Sequence, residues 1–278
     1  MSRKVNVIIV APVNFALLPV KGLAHGKSRL LRLLSDDARR ALLQAMFLDV
    51  LASVLRAPSV HAVAVVSSDR FLLDLAVLEG VLAVDEGYPR GLNGAVDLGA
   101  AFCVENGASA LLVLLADVPL VSPADVEAVF RGLRGEPEAI VVPSKEGDGV
   151  NALLRVPPHA IQPCFVGGPS LEAHRAEARR KNVPCRVVDI PGIALDIDSV
   201  EDLQVFGSEP TDTRAYREAA RLGLLRPRAQ RKRPGLEPGP LEAADSGRLA
   251  AGSAASPETA GVEAGAPGRR AIGHSGRR

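Results

Sequence analysis

The stretch Leu111 to Pro123, LLVLLADVPLVSP, constrains the fold more than any other part of the chain. Leu111–Ala116 is an unbroken apolar run, the pattern of a strand buried on both faces in a parallel sheet. The run stops at Asp117, and Val118-Pro119 prevents a helix from starting at once. Ser122-Pro123 then supplies an N-cap and an N1 proline for a helix near 124–133. Asp117 is thereby delivered to the C-terminal edge of a central strand, where open α/β sheets bind their ligands. Capping of a turn is the plainer alternative for it.

Such a sheet needs a sizeable core, and 278 residues at 47% hydrophobic content provide one. Aromatics make up only 3% and Trp is absent, which argues against a stacking platform for single-stranded nucleic acid. The net charge of +1 is unevenly spread: residues 227–278 carry nine Lys/Arg and five Asp/Glu, leaving residues 1–226 at −3. Neither nucleic-acid nor membrane binding is expected. Cys103, Cys164 and Cys185 form no C-x-x-C pair, so free thiols and a cytoplasmic location are expected. Val5–Val10, behind Arg3-Lys4 and interrupted by Asn6, is too short for a signal peptide's apolar core.

Val5–Val10 and Phe15–Val20 both read as strands, and the second is favoured because PVKGLAHGKSRL (19–30) follows it directly. Two glycines and two lysines in a loop after a strand suit phosphate binding, with Lys21, Gly22 and Lys27 as the candidates. A P-loop would need glycine at position 21, and Gly22 is one residue out of register. Ser35-Asp36-Asp37 starts a helix whose core positions are Leu43, Met46, Phe47, Val50, Leu51, Val54 and Leu55. Strands at 60–67 and 81–85 flank a helix at 69–79, and a helix at 93–106 precedes the strand 110–116. This alternation predicts a three-layer αβα fold with a mostly parallel, doubly wound sheet.

Strands follow at 139–143, 151–156 (running back) and 185–190. Gly167-Gly168-Pro169-Ser170 leads into a helix at 171–182 with Ser170 as its natural N-cap, making an anion site of its N-terminus. Asp196 and Asp198 lie two residues apart, so on an extended chain they share a side. A divalent cation with oxygen ligands is the economical reason to place them so, although such pairs are common on surfaces. Ser199 with Asp202 opens a further helix, and Tyr216, Ala220 and Leu224 give one face to a last helix within 213–225. The folded domain is therefore 1–226. Residues 227–278, rich in Pro, Gly, Ala and Arg, read as a disordered tail.

PVKGLAHGKSRL (19–30), RGLNGAV (90–96), LLADVPLVS (114–122), DGVNALL (148–154), FVGGPSLEAH (165–174) and LDIDSVEDL (195–203) occur in one order over about residues 15–206. Jointly they resemble the 2-phospho-L-lactate or phosphoenolpyruvate guanylyltransferases of coenzyme F-420 biosynthesis, which have the nucleotide-diphospho-sugar transferase type of fold. The resemblance implies GMP transfer from GTP to a small phosphorylated three-carbon acid, with release of pyrophosphate. Phosphoenolpyruvate is the first choice, and 2-phospho-L-lactate and 3-phospho-D-glycerate are open. It further implies Lys21 and Lys27 on the triphosphate, Asn93 beside the nucleoside, and magnesium on Asp117, Asp196 and Asp198. The corner at Gly167, Gly168 and Ser170, with Val150 and Asn151, would take the acid. Two departures fall on the acceptor side: Val150 stands where many members have threonine, and the start of the 171–182 helix is one residue longer near Val166. No histidine is needed as a base, and His174 is the one nearest the acceptor corner. A homodimer is allowed but not dictated. The alternatives are a related nucleotidyltransferase acting on a sugar phosphate or a molybdenum-cofactor precursor, a P-loop kinase or NTPase, and an inactive nucleotide-binding module.

Overall fold

The computed structural model describes residues 12–21, 34–134, 136–208 and 211–225. The segment Val5–Val10, the loop residues Gly22 and Lys27, and the tail 227–278 therefore lie outside the described residues. The first half alternates β1 (Asn14–Pro19), α1 (Asp36–Leu55), β2 (Ala62–Ser67), α2 (Arg70–Leu78), β3 (Leu82–Asp85), α3 (Gly91–Glu105), β4 (Ala110–Leu114) and α4 (Pro123–Arg131). The second half holds β5 (Glu138–Pro143), β6 (Val150–Val156), α5 (Ser170–Lys181), β7 (Cys185–Val187), α6 (Pro191–Ala194), α7 (Val200–Phe206) and α8 (Arg214–Arg221). The strands form one seven-stranded sheet in the order β3-β2-β1-β4-β6-β5-β7. Only β6 runs against the rest, antiparallel to both β4 and β5.

The unbroken apolar run of β4 has its explanation in the layers. Leu112 and Leu114 face one core with Phe47 and Val50 of α1 and Val126 and Val129 of α4. Leu111 and Val113 face the opposite core with Val96, Ala100 and Cys103 of α3 and Ala178 of α5. No position of β4 meets water, so none is polar. On β1 the same alternation sends Leu18 to the first core and Leu17 to the second. A Cβ at Gly99 of α3 would lie 2.6 Å from Leu17 Cδ1, so the missing side chain sets how closely α3 approaches the sheet. A third cluster joins Leu42 and Met46 of α1 to Leu195, Ile197, Leu203 and Phe206, with Ala215 and Ala219 of α8.

Several boundaries and faces differ from the sequence reading. On α1 Leu42 is buried where Leu43 is only half-buried, and Leu55, the last residue of the helix, is exposed while Leu51 and Val54 are fully buried. Strand β4 stops at Leu114 and the chain turns at Ala116-Asp117, so Asp117 sits past the strand end. The Pro169 backbone, φ −59° and ψ 101°, takes the N-cap position of α5 without a side-chain cap, which makes Ser170 the first helical residue and buries it. Helix α8 docks most deeply through Ala215 and Ala219, with the expected Tyr216 and Leu224 half-buried against the same cluster and Ala220 exposed. Its N-terminus is fixed by Asp49 of α1, which accepts the N–H groups of Arg214 (3.0 Å) and Ala215 (2.7 Å).

Candidate active site

Strands β1, β2, β3 and β4 all end at one edge of the sheet, and the start of antiparallel β6 comes back to the same edge. Three adjoining cavities lie along it. The middle one, about 240 Å³, is lined by Val20 and Lys21 after β1, Asp117 after β4, Phe165, Asp196 and Asp198. Residues drawn from positions 21, 117, 196 and 198 of the chain thus converge on one space, as the sequence reading expects. Lys21 is exposed at the end of β1.

The Asp196–Asp198 segment owes its direction to its neighbours. Leu195 and Ile197 are buried in the third cluster, so the alternate residues Asp196 and Asp198 are turned to the cavity. The Ile197 N–H donates to the Asp117 carbonyl at 3.0 Å, which ties the segment to the β4 turn. Asn151, buried at the start of β6, donates through its amide nitrogen to Ile193 O (2.9 Å), Ala194 O (3.0 Å) and Asp196 Oδ1 (3.1 Å). All three partners are acceptors, which fixes the amide orientation. Asn151 therefore holds Asp196 as well as lining the wider cavity, a contact that the resemblance did not imply.

Next to this lies a wider cavity of about 690 Å³ lined by Val150, Asn151, Phe165 and Ser170. Its charged lining is acidic throughout, with Glu146, Asp148, Asp196, Asp198, Glu201 and Asp202, and no Lys or Arg among the described residues. Among those residues, too, no three His, Cys, Asp or Glu side chains are gathered closely enough to hold a metal by themselves. Gly167 and Gly168 are exposed at φ +105° and +139°, conformations open to glycine, and they shape the loop without lining either cavity. The Leu171 N–H at the start of α5 is given to the Asp148 carbonyl (3.0 Å), which joins the helix to the β5–β6 turn.

Phe165 lines both cavities and is held from two sides. Its N–H donates to Asn93 Oδ1 of α3 at 2.8 Å. His174 of α5 packs edge-on to its ring at 4.8 Å and accepts the Cys164 N–H at Nε2 (2.9 Å). The His174 Nδ1–H donates to the Ser170 carbonyl (2.7 Å). Burial pushes the His174 pKa down to about 4, with Arg155 adding to the effect, so the imidazole is neutral and locks the loop.

The third cavity, about 190 Å³, is a slot lined by Pro19, Val20, Pro89, Leu92 and Ala95, with Lys21, Ser68 and Glu86 as its polar groups. Glu86 is only 6% exposed, and its Oε2 accepts the Arg90 N–H at 3.2 Å. Glu86 opens the loop EGYPRGL between β3 and α3, just ahead of the RGLNGAV segment, and no local pattern marks it in the sequence.

Residues 14–231 match the family described as "Guanylyl transferase CofC like". The chain belongs to that family. As a guanylyltransferase it is a nucleotidyltransferase, and relatives along most of its length carry matching names. The phosphoenolpyruvate guanylyltransferase of Rubrobacter xylanophilus is 41% identical over 68% of this chain and 91% of its own. The 3-phospho-D-glycerate guanylyltransferase of Phenylobacterium zucineum is 35% identical over 67% and 86%. The 2-phospho-L-lactate guanylyltransferase of Methanothermobacter thermautotrophicus is 32% identical over 72% and 88%. In fold, the guanylyltransferase is similar to a Desulfovibrio desulfuricans protein assigned as a nucleotide-diphospho-sugar transferase. That likeness has a TM-score of 0.60 at 14% identity, over 76% of this chain and 96% of the other. Among the described residues no helix is long and apolar enough to cross a membrane.

Proposed function

We propose that this guanylyltransferase transfers GMP from GTP to the phosphate of a three-carbon phospho-acid, releases pyrophosphate, and acts in the cytoplasm in coenzyme F-420 biosynthesis. Phosphoenolpyruvate is the preferred acceptor, with 2-phospho-L-lactate and 3-phospho-D-glycerate as the alternatives. The observation that carries the reading is the convergence of Lys21, Asp117, Asp196 and Asp198 on one cavity at the C-terminal edge of the sheet. That edge is where ligands bind in open α/β folds.

The acceptor's phosphomonoester carries close to two negative charges at neutral pH, so it needs no protein base. One of its oxygens forms a bond to the α-phosphorus of GTP, while the bond from that phosphorus to the β-phosphate oxygen breaks and pyrophosphate leaves. The protein's task is to bring two anions together and to balance charge on the leaving group. Lys21 and Lys27 serve the triphosphate. Val150 and Ser170 face the acid across the wider cavity, and proximity alone lowers the barrier by several kcal/mol, roughly up to 10.

A cavity whose charged lining is acidic among the described residues holds an anionic acid best with a cation between them. The all-oxygen donors Asp117, Asp196 and Asp198 suit magnesium, which takes one or two carboxylates and completes its sphere with substrate phosphates and water. The open spacing of these carboxylates fits that habit better than a closed cage. Bound there, magnesium supplies Lewis-acid polarisation and countercharge for the phosphoryl oxygens. The test is pyrophosphate release with GTP, magnesium and each of the three acids in turn. Turnover with none of them, or with CTP in place of GTP, overturns the proposal.

A further inference from the structure

We propose that Glu86 is the residue that selects guanine, its carboxylate accepting the base N1–H and the exocyclic N2 amino group inside the apolar slot beside β1. This rests on the reading of the site as a GTP site and adds the means by which the base is chosen.

The slot at Pro19, Val20, Pro89 and Leu92 offers flat apolar walls, which hold any base by its faces and discriminate none. Discrimination has to come from polar groups on the rim of a base, and Glu86 is the charged acceptor among the residues lining the slot. The Glu86 residue is 6% exposed, and burying a carboxylate is costly unless its lone pairs are used. Oε2 accepts the Arg90 N–H at 3.2 Å, and no other hydrogen bond reaches the side chain among the described residues. A carboxylate has about four acceptor sites, so most of its capacity is unused. The chain holds Glu86 firmly: its N–H donates to Ser67 O (3.1 Å), and its carbonyl accepts from Tyr88 N (2.7 Å) and Arg90 Nε (3.3 Å). The side chain is therefore presented by a fixed loop, not a mobile one.

Among the common bases only guanine places two donors side by side, N1–H and N2–H. Adenine presents an acceptor at N1, cytosine an acceptor at N3, and uracil a single N3–H between two carbonyls that a carboxylate repels. A fixed buried carboxylate thus accepts guanine and penalises the other three. Lys21 lines the same slot and the neighbouring cavity, so a nucleotide with its base at Glu86 has its phosphates directed toward Asp117.

The experiment is calorimetric titration of the full-length protein with GTP, ITP and ATP, which needs no acceptor. Hypoxanthine, the base of ITP, differs from guanine only in lacking the 2-amino group. We expect wild type to bind GTP about 10-fold or more tighter than ITP, the value of one hydrogen bond to a charged group, and ATP more weakly still. Glu86→Gln should weaken GTP about 10- to 100-fold and bring GTP and ITP within roughly three-fold of each other. A purely structural role for Glu86 would weaken both nucleotides alike and leave their ratio unchanged. A folded Glu86→Gln protein that keeps the wild-type ratio overturns the inference, as does wild type binding GTP and ITP equally. If Glu86→Gln does not fold, Glu86→Asp, which keeps the charge but withdraws it by one methylene, is expected to lose the same preference. Wild type that binds GTP and ITP equally leaves the GTP reading standing. Wild type that binds neither overturns both.

Discussion

Asn151 shows how little of a site's organisation is written next to the residue itself. Its amide reaches Ile193, Ala194 and Asp196, more than forty positions along the chain, and thereby aims a carboxylate that it does not replace. Groups that orient a metal-binding carboxylate cost about 10- to 100-fold in metal affinity when removed. Asn151→Ala should therefore raise the magnesium concentration needed for half-maximal turnover about 10-fold, while saturating magnesium restores much of the rate. A magnesium curve identical to wild type would refute the positioning role. Asp117→Asn and Asp196→Asn should each abolish turnover yet melt close to wild type, and near-normal activity in either purified variant would end the metal assignment. Ser170→Ala, the loss of a buried hydroxyl in the acidic cavity, should raise the KM for the acid about 10-fold and leave that for GTP nearly unchanged. Asp117 was legible because it follows an apolar run that ends at the sheet edge, and Asp196 and Asp198 because they stand two residues apart. Asn93 and Asn151 were named through the family resemblance alone, and their contacts to Phe165 and Asp196 were not legible, because a hydrogen bond to a partner 72 or 45 residues away leaves no local pattern.

Elements were legible where burial imposes a pattern and less so where small residues do the docking. Strand β4 could be read from its composition because helices cover both its faces. On α8 the fully buried positions are alanines, which a search for large apolar side chains overlooks, while the expected Tyr216 and Leu224 pack half-buried beside them. The N-cap of α5 went to Pro169 because proline's fixed φ suits the turn, whereas a preference scale favours serine. The contact between α3 and β1 gives a direct test of packing. With a Cβ at Gly99 only 2.6 Å from Leu17 Cδ1, Gly99→Ala should destabilise the fold by about 1–3 kcal/mol and lower Tm by roughly 3–10 °C. Adding Leu17→Val, which shortens the opposing side chain, should cost less than the sum of the two single changes. Strict additivity in thermal melts would show that the two residues do not share the space.

Across the whole molecule, one buried group gives stability a distinctive dependence on pH. His174 titrates near 4 in the folded protein and near 6.5 when exposed, so the unfolded chain binds the extra proton first. Its contribution is fully present above about pH 6.5 and is lost as pH falls toward 4, with an upper bound of about 3 kcal/mol. Urea unfolding at pH 7 and pH 4.5 should show wild type losing more stability than His174→Gln between the two, and equal losses would refute the assignment. The order of the sheet has its own consequence. The wider cavity, proposed for the acid, takes most of its lining from residues 144–202, with Leu92 and Leu115 added from the first half, while the slot at Glu86 and Lys21 is lined wholly from 19–95. Within the sheet the two halves of the chain are joined by one strand pairing, β4 with β6. A recombinant that takes residues 138–206 from a relative using a different acid should inherit that relative's acid and keep its own nucleotide, so that acceptors can be traded by exchanging one contiguous segment with two junctions.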